Sequence, residues 1–404
     1  MWSHYVKNRR ILFTLLLGFS CGLPVALTGA TLQAWFTQSG VSVLAIGALS
    51  LIGLPYTFKF LWSPLLDRFA LPFLGRRRDW IFATQVGLCI ALFAMAHFDP
   101  GLHAAAIGAA ALTVAFIAAS QDIAIDAYRT DLLLPDERGL GTAGFIFAYR
   151  MATLTSGGLA LLLADRLGWR ITYEIMAILV GLSTLTTYLA PSISDRIKAP
   201  ATLAAAIIEP FKDFFKRKKI IAILLFILLY KFGDAFALSL MSFFLLKGLG
   251  FSLTAVGVAH KTFGLFATIT GAFVGGILMT RLSIWCALLL FGILQAFSNL
   301  FFMFLAIAGK SYLWMVSSIF IEAFCSGMGT AAFVAFIMSI CHHQYTATQF
   351  AFLSSFAALG IRLTGPLAAF VSTRYGWVNF YALSFLLSLP GLLLLIPIWN
   401  KVEL

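Results

Sequence analysis

The sequence predicts an all-α polytopic membrane protein. Of its 404 residues, 61% are hydrophobic and only 11% are charged, which is far outside the range of soluble domains. The apolar residues form long continuous runs rich in Leu, Ala, Phe and Gly, whereas a transmembrane barrel needs short strands of alternating character. We therefore expect helical spans, each with about 20 mostly apolar residues to cross the hydrocarbon core.

Breaks in hydropathy divide the chain into twelve such segments joined by short polar loops. The predicted spans are 11–35, 41–64, 80–98, 104–133, 140–165, 170–190, 219–246, 252–280, 283–308, 311–341, 346–373 and 376–400. The first segment is too long for the apolar region of a cleavable signal, and it contains Pro24 and Gln33. We therefore expect it to remain as the first span.

The distribution of positive charge predicts the orientation of the chain. Seventeen Lys and Arg residues fall in the N-terminal tail, the even-numbered loops and the C-terminal tail, against five in the odd-numbered loops. By the positive-inside rule, both termini are predicted to be cytoplasmic. Most of the formal net charge of +12 is expected to orient the protein against an anionic membrane leaflet. We therefore expect no nucleic-acid partner.

Cysteines and histidines give no pattern typical of a disulfide framework or a metal site. The five cysteines lie in or at the ends of apolar segments without a C-x-x-C pair, and the six histidines contain no H-x-x-x-H. We therefore expect no cofactor and no bound metal.

The largest polar interruption is SISDRIKAPATLAAAIIEPFKDFFKRKK, residues 192–219, with six predicted spans on either side. It divides the chain into an N-terminal half, 1–191, a basic cytoplasmic linker, 192–218, and a C-terminal half, 219–404. Two six-helix halves joined by such a linker are typical of the major facilitator fold, in which the binding site lies near the midplane between the halves. Within the linker, IIEPFKDFFKRKK could form an amphipathic helix on the membrane surface.

The loop after span 2 reads SPLLDR, then FALPFL, then GRRR, and it resembles the major facilitator pattern G-x-x-x-D-R-x-G-R-R. It differs in having Ser63 at the first glycine and five extra residues before the G-R-R part. The corresponding loop of the second half, GILMTR, has Thr280 where the acid would stand. In that family the acid and base of this loop help to close the cytoplasmic side, so the resemblance implies gating roles for Asp67 and Arg68. Arg76 to Arg78 are expected to act only as topology anchors.

Span 4 carries charged residues on one narrow face. At about 100° per residue, Asp122, Asp126 and Arg129 share this face, whereas Asp131 points the other way. Ionised groups in the hydrocarbon region are costly unless they face the interior and find partners, so the face is expected to line a cavity or a charged helix interface. Arg129, a gating candidate, can simply neutralise Asp126 one turn away. Asp122 has no obvious local partner and lies near the midplane, so we favour it as the group that exchanges a proton.

Further polar residues within the spans complete the candidate set. Lys231 and Asp234 share a face of span 7, and Glu322 stands in span 10; internal ion pairs would explain them equally well. Asp126, Asp234 and Glu322 are the other candidates for proton coupling. Arg150 and Arg362 suit a substrate carboxylate, because a guanidinium offers bidentate recognition. The remaining predicted substrate-binding residues are polar or aromatic side chains of the spans: Gln33, Gln121, Tyr149, Tyr230 and Lys231.

Several long stretches, in chain order, carry a more specific resemblance: SQDIAIDAYRTDLL, YKFGDAFALSLMSFFL, KTFGLFATITGAFVGGIL and IEAFCSGMGTAAFVAFIMSICHHQYTATQFAFLSS. They closely resemble AmpG-type muropeptide permeases, a bacterial branch of the major facilitator superfamily. The resemblance implies an inner-membrane protein that imports N-acetylglucosaminyl-1,6-anhydro-N-acetylmuramyl saccharides and peptides, driven by protons, for peptidoglycan recycling. We expect a monomer. Where the family has NKSFSATQF this chain has HHQYTATQF, which leaves the exact cargo open.

Two other functions are compatible with parts of the sequence. The same fold could carry another cargo, such as acetyl-CoA or a nucleotide thioester. The D-x-x-x-D pair of span 4 also occurs in intramembrane prenyltransferases, where paired carboxylates hold Mg²⁺ and diphosphate. Such enzymes need a second aspartate-rich cluster, which the sequence lacks, and Arg129 would compete with the metal. We therefore expect a transporter and not an enzyme.

Overall fold

The computed structural model describes residues 8–41, 49–69, 72–193, 202–216, 219–362 and 364–398. Within these ranges the secondary structure is helical and no strand is found, which confirms the all-α prediction. Part of the predicted linker, residues 194–201, lies outside the described residues.

The described residues of the N-terminal half and of the linker form ten α-helices. They are α1 Arg9–Leu27, α2 Ala30–Gln38, α3 Leu54–Phe58, α4 Ser63–Arg68, α5 Arg76–Met95, α6 Pro100–Leu132, α7 Arg138–Leu154, α8 Ala160–Leu167, α9 Trp169–Leu189 and, in the linker, α10 Leu203–Phe215. Short 3₁₀ segments, Leu49–Gly53 and Lys59–Leu61, flank α3, and a π-helical segment, Thr155–Leu159, joins α7 to α8.

The C-terminal half contains ten more α-helices among its described residues. They are α11 Ile220–Leu229, α12 Phe232–Ser239, α13 Met241–Phe243, α14 Leu253–Val258, α15 Leu265–Leu278, α16 Ile284–Ala308, α17 Tyr312–Ile340, α18 Thr346–Arg362, α19 Thr364–Leu393 and α20 Leu395–Ile398. Two π-helical segments, Phe244–Gly248 and Ala259–Gly264, extend α13 and connect α14 to α15.

Ten helices of the described chain are long and apolar enough to cross a membrane, and they correspond to all predicted spans except the second and the eleventh. The second span is divided into short helices, and its residues 42–48 lie outside the described ranges. Helix α19 runs through the predicted boundary between spans 11 and 12, where it is kinked at Gly376. The φ of 74° at this residue is a conformation that glycine adopts readily.

The chain forms two compact units. The first comprises Met1–Leu134, Gly144–Lys212 and Cys341–Ser355; the second comprises Pro135–Ala143, Asp213–Ile340 and Phe356–Leu404. The first unit therefore includes the start of α18, and the second includes the start of α7. The domain boundaries expected from the sequence, at 191 and 219, remain a prediction.

Close approach of α1 and α7 positions a polar face in the first unit. A Cβ atom on Gly18 would lie 2.6 Å from the carbonyl oxygen of Phe145, and one on Gly22 would lie 2.4 Å from that of Tyr149. Larger residues would collide with the backbone of α7, so the two glycines permit this packing. The Tyr149 ring is thereby held beside α1.

Candidate functional site

The charged face of α6 contacts a lysine from the 3₁₀ segment after α3. Lys59 Nζ lies 3.4 Å from Asp126 Oδ2 and 3.8 Å from Asp122 Oδ2. On the other side, Arg129 Nη2 lies 2.7 Å from Asp126 Oδ1. This charged cluster of Lys59, Asp122, Asp126 and Arg129 is electrically neutral when all four groups are ionised, which lowers the cost of burying them in a membrane.

Arg129 pairs with Asp126, as its position one turn away predicts. Its guanidinium carbon also lies 4.2 Å from the ring centroid of Phe145 and 5.5 Å from that of Phe350. Ring faces attract a cation and replace part of its hydration. Asp126 is therefore held at one oxygen by a well-packed base and at the other by Lys59.

The expectation of no local partner for Asp122 concerned its own helix; the partner that the structure provides, Lys59, comes from the 3₁₀ segment after α3. Lys59 lies farther from Asp122, at 3.8 Å, than from Asp126, at 3.4 Å. The Asp122 side chain is also the more exposed, at 22% against 12% for Asp126. The Cys21 thiol of α1 is also close to the carboxyl group of Asp122. Asp122 is thus the more accessible and the less tightly paired of the two acids.

Gln121 lies next to the cluster but belongs to a buried network. Its amide Nε2 donates to Ser20 Oγ at 2.7 Å, and Gln85 Nε2 donates to the same oxygen at 3.0 Å. Gln85 in turn accepts a hydrogen bond of 2.7 Å from Thr187. Gln121 is fully buried, so the structure favours a role in packing α6 against α1 over the predicted contact with substrate.

The other substrate-binding candidates of the first unit are spread along it. Tyr149 is half-buried and interacts with Asp122. Arg150 and Gln33 are exposed. Of these three, only Tyr149 is brought next to the charged cluster.

A second group of polar side chains lies in the second unit. Lys231 Nζ donates to Gln295 Oε1 at 3.2 Å and to the carbonyl oxygen of Ser326 at 3.3 Å. Asp234 Oδ2 accepts from Ser326 Oγ at 3.4 Å. The carboxyl groups of Asp234 and Glu322 are close enough to influence each other electrostatically.

This acid pair has a simple chemical consequence. Two carboxyl groups can hydrogen-bond to each other only when one of them carries a proton. Asp234 and Glu322 are both buried, so water can do little to separate their charges. A hydrogen bond between these two acids would therefore require one of them to carry a proton, near a lysine whose hydrogen bonds go to Gln295 and Ser326.

Tyr230 and Arg362 were also predicted to bind substrate. The Tyr230 ring stacks on Phe333 with centroids 5.4 Å apart, and its hydroxyl donates to the carbonyl oxygen of Leu288 at 3.0 Å. Tyr230 is therefore a buried packing residue in this structure. The side chain of Arg362 lies outside the described residues.

The loop after span 2 forms a buried ion-pair network. Arg77 Nη1 lies 2.8 Å from Asp67 Oδ1, and Arg77 Nε lies 3.1 Å from Asp131 Oδ2. The expectation that Arg76 to Arg78 are only topology anchors is wrong for Arg77, because it is buried between two carboxylates. The base next to Asp67 in sequence, Arg68, lies instead over the ring of Phe69 at 5.6 Å.

Asp67 also accepts hydrogen bonds from the first turn of α18. The backbone N–H of Thr348 donates to Asp67 Oδ2 at 2.8 Å, its hydroxyl at 2.6 Å, and the N–H of Ala347 donates to Oδ1 at 3.3 Å. Asp131 accepts from Thr346 Oγ1 at 2.6 Å. First-turn N–H groups have no partner within their own helix, so the Asp67 carboxylate satisfies two of them, and both carboxylates complement the helix dipole.

Two features of these sites were missed from the sequence. Lys59 stands in the apolar run YTFKFLW, and a lone lysine inside a predicted span is a signal that could have been used. The threonines of TATQF that contact Asp67 and Asp131 gave no comparable signal, because threonine is common in spans and its partners are distant in sequence. The predicted D-x-x-x-D pair of span 4 is occupied by cationic side chains, which disfavours a Mg²⁺-diphosphate site there.

Known proteins are similar to this chain over its whole length. Residues 14–361 match the family described as Major Facilitator Superfamily. The chain is 49% identical to the "Anhydromuropeptide permease" of Escherichia coli (strain K12) over 407 residues, covering 100% of this chain and 83% of that protein. It is 31% identical to the "Putative transporter AmpG 4" of Rickettsia felis, covering 98% of each chain.

Solved transporter structures share the fold. A variant of the E. coli fucose:proton symporter FucP superposes with a TM-score of 0.76 at 13% identity, covering 99% of this chain and 100% of that one. The proton:xylose symporter XylE gives a TM-score of 0.71 at 12% identity, covering 99% of this chain and 96% of that one. These similarities confirm the predicted major facilitator fold. The chain belongs to the major facilitator superfamily and, within it, to the AmpG-type family of muropeptide permeases.

Proposed function

We propose that this protein imports anhydro-muropeptides across the bacterial inner membrane by coupling their movement to protons. The observation that carries the proposal is 49% identity, over the entire chain, to a protein named as an anhydromuropeptide permease. The protein is a multi-pass membrane transporter by its family, so the proposal concerns its cargo, its energy source and its orientation. We propose a monomer with both termini in the cytoplasm.

The chemistry of the proposed cargo fits the polar residues of the two units. The saccharide carries amides, hydroxyls and a lactyl carboxylate or peptide carboxylates, and such anions need cationic partners in a low-dielectric site. The first unit offers two cations, the buried Lys59, which contacts the partly exposed Asp122, and the exposed Arg150. Each unit also contains a carboxyl group suited to hold a proton: Asp122 in the first, and one of the pair Asp234 and Glu322 in the second.

The loop network supports a gating role for Asp67. Its carboxylate connects the loop before α5 to the first turn of α18, through Arg77 on one side and Thr348 on the other. Opening the cytoplasmic side would require these charge-assisted hydrogen bonds to be exchanged for water. The described side chain of Arg68 does not take part in the network, so we transfer the role of the gating base to Arg77.

Uptake into proteoliposomes tests the proposed function. Labelled N-acetylglucosaminyl-1,6-anhydro-N-acetylmuramic acid is offered with an inward proton gradient, and again after an uncoupler has collapsed it, with protein-free liposomes as the control. Accumulation that depends on the gradient is expected. Absence of uptake by folded protein would overturn the cargo assignment. Inhibition of transport by coenzyme A esters, without inhibition by anhydro-muropeptides, would point to a thioester cargo.

A further inference from the structure

The two aspartates of the charged cluster are held unequally. Asp126 has Arg129 at 2.7 Å and Lys59 at 3.4 Å, whereas Asp122 has only Lys59 among these bases, at 3.8 Å. A proton on Asp122 would therefore leave Asp126 neutralised by Arg129. The same proton would leave Lys59 with a positive charge that no full negative charge balances.

The other groups around Asp122 do not offset this unbalanced positive charge on Lys59. Its side chain is the most exposed of the cluster at 22%, and that of Lys59 is 10% exposed. The titratable and charged groups that face it come from α1, α3, the 3₁₀ segment, α6 and α7: Cys21, Tyr56, Lys59, Asp126, Arg129 and Tyr149. Two of these groups are bases, and Arg129 is already held by Asp126 and two aromatic rings.

We propose that Lys59 is a substrate-binding residue for a carboxylate and that Asp122 masks it until Asp122 takes up a proton. In the unprotonated state Asp122 and Asp126 share the lysine, and an anionic substrate would have to displace a carboxylate to reach it. In the protonated state the cluster carries one net positive charge. A substrate carboxylate restores neutrality, so proton and anion bind together.

This inference rests on the proposed function for its substrate class and gives it a coupling mechanism. Because binding free energies are reciprocal, the proton raises the affinity for the anion by the same factor as the anion raises the affinity for the proton. Release of the carboxylate on the other side of the membrane would again expose an unbalanced cation. Asp122 would then lose its proton and pair with Lys59 once more.

Binding of two matched ligands tests the inference. The probes are N-acetylglucosaminyl-1,6-anhydro-N-acetylmuramic acid and its methyl ester, which lacks the carboxylate, each titrated onto purified protein at acidic and at neutral pH. The native protein should prefer the acid, and more strongly at acidic pH. In Lys59→Gln this preference should fall by about tenfold to a hundredfold, the range for one charge-assisted hydrogen bond, with ester binding unchanged.

Three further variants make the result specific to charge. Lys59→Arg should keep the preference. Asp122→Asn should show it at both pH values, because the lysine is permanently unmasked. The double variant Lys59→Gln with Asp122→Asn removes one cation and one anion together, so it should fold even if Lys59→Gln does not, and should bind acid and ester equally. Lys310→Gln, at an exposed lysine, is the control and should behave like the native protein.

The outcomes separate this inference from the proposed function. If Lys59→Gln, or the double variant, keeps the preference for the acid and its pH dependence, Lys59 does not bind the carboxylate and the inference is overturned. If the native protein binds neither ligand, the cargo assignment fails, and the inference fails with it.

Discussion

Asp122 and Asp126 lie one helical turn apart but differ in their ion pairs and in their exposure. Asp126 accepts from two bases, of which Arg129 is packed against aromatic rings, so its charge is stabilised. Asp122 shares one base at 3.8 Å and is partly exposed. A group that takes up and releases a proton during transport has to be accessible and weakly paired in at least one state. The contacts therefore favour Asp122 over Asp126 as the proton-coupling acid.

Replacing Asp122 by Asn should abolish gradient-driven accumulation while leaving part of the exchange between labelled and unlabelled substrate. The amide preserves the shape of the side chain but can no longer gain or lose a proton, so only movement without net coupling remains. Uptake and counterflow in proteoliposomes measure the two activities separately. Asp126→Asn is the matched comparison on the same helix. Uphill transport by Asp122→Asn would move the coupling role to Asp126, Asp234 or Glu322.

Replacing Arg77 by Gln should destabilise the protein strongly. The substitution leaves Asp67 and Asp131 buried without their cation, and breaking a buried pair in this way costs on the order of 3–5 kcal/mol. Thermal unfolding of the detergent-solubilised protein should show a large fall in Tm. The control is Arg170→Gln, because Arg170 pairs with Glu174 on an exposed face and such pairs contribute about 0–1 kcal/mol. Equal stability of the two variants would contradict the buried network.

The sequence could predict contacts within one helix but not those between distant segments. The pair Asp126 and Arg129 follows from a spacing of three residues, since positions i and i+3 share a helix face. Lys59 is 67 residues from Asp126, and Thr348 is 281 residues from Asp67. Helical periodicity carries no information about such distant partners, so it could reveal neither the acids that Lys59 contacts nor the carboxylates that the threonines of α18 contact.

Among the elements, the pair α15 and α17 shows how small residues set helix packing. A Cβ atom on Gly271 would lie 2.0 Å from the carbonyl oxygen of Phe324, and one on Gly327 would lie 2.3 Å from that of Thr268. Helices that approach this closely gain van der Waals contact along their backbones, which is a main source of association in lipid.

Replacing Gly271 by Ala should therefore lower stability, although alanine is the better helix former. The added methyl group would force the backbones apart, at a cost of about 1–3 kcal/mol for overpacking. Gly108→Ala in α6 is the matched control, because its Cβ would meet nothing within 4 Å, and its effect should be neutral or slightly stabilising. A comparison of Tm values measures both. A stable Gly271→Ala protein would show that α15 and α17 pack less closely than described.

At the scale of the whole molecule, the distribution of basic residues predicts which loops face the cytoplasm. A cysteine introduced at Ser311, where predicted span 10 begins next to an odd-numbered loop, should react with a membrane-impermeant thiol reagent applied from the periplasmic side. A cysteine at Lys216, in the exposed part of the linker, should react only after the inner membrane has been opened. The unmodified chain is the control, since its five cysteines are buried or half-buried. The reverse labelling pattern would invert the predicted orientation.

The fold was more predictable than the sites. The length of the apolar runs predicts helical spans, and collinear motifs over most of the chain predict the superfamily and the permease family; both are confirmed. The composition of the two compact units could not be predicted in the same way. Hydropathy places residues 341–355 after span 10, but it does not state which helices they pack against, and in the structure they belong to the first unit.

Each compact unit includes a segment from the other half of the chain, Cys341–Ser355 in the first unit and Pro135–Ala143 in the second. Neither half of the sequence therefore contains all the residues of its own unit. A fragment ending in the linker would lack Ala347 and Ala351, which belong to a hydrophobic core of the first unit, and would leave Asp67 without the N–H groups of α18. Expressed alone, it should be unstable and readily degraded. Co-expression with the complementary fragment from the linker to the C-terminus should restore a folded complex, detectable by co-purification through one tagged fragment. An N-terminal fragment that is equally stable alone would show that the borrowed segment is dispensable, and the two halves would then be independent folding units joined only by their linker.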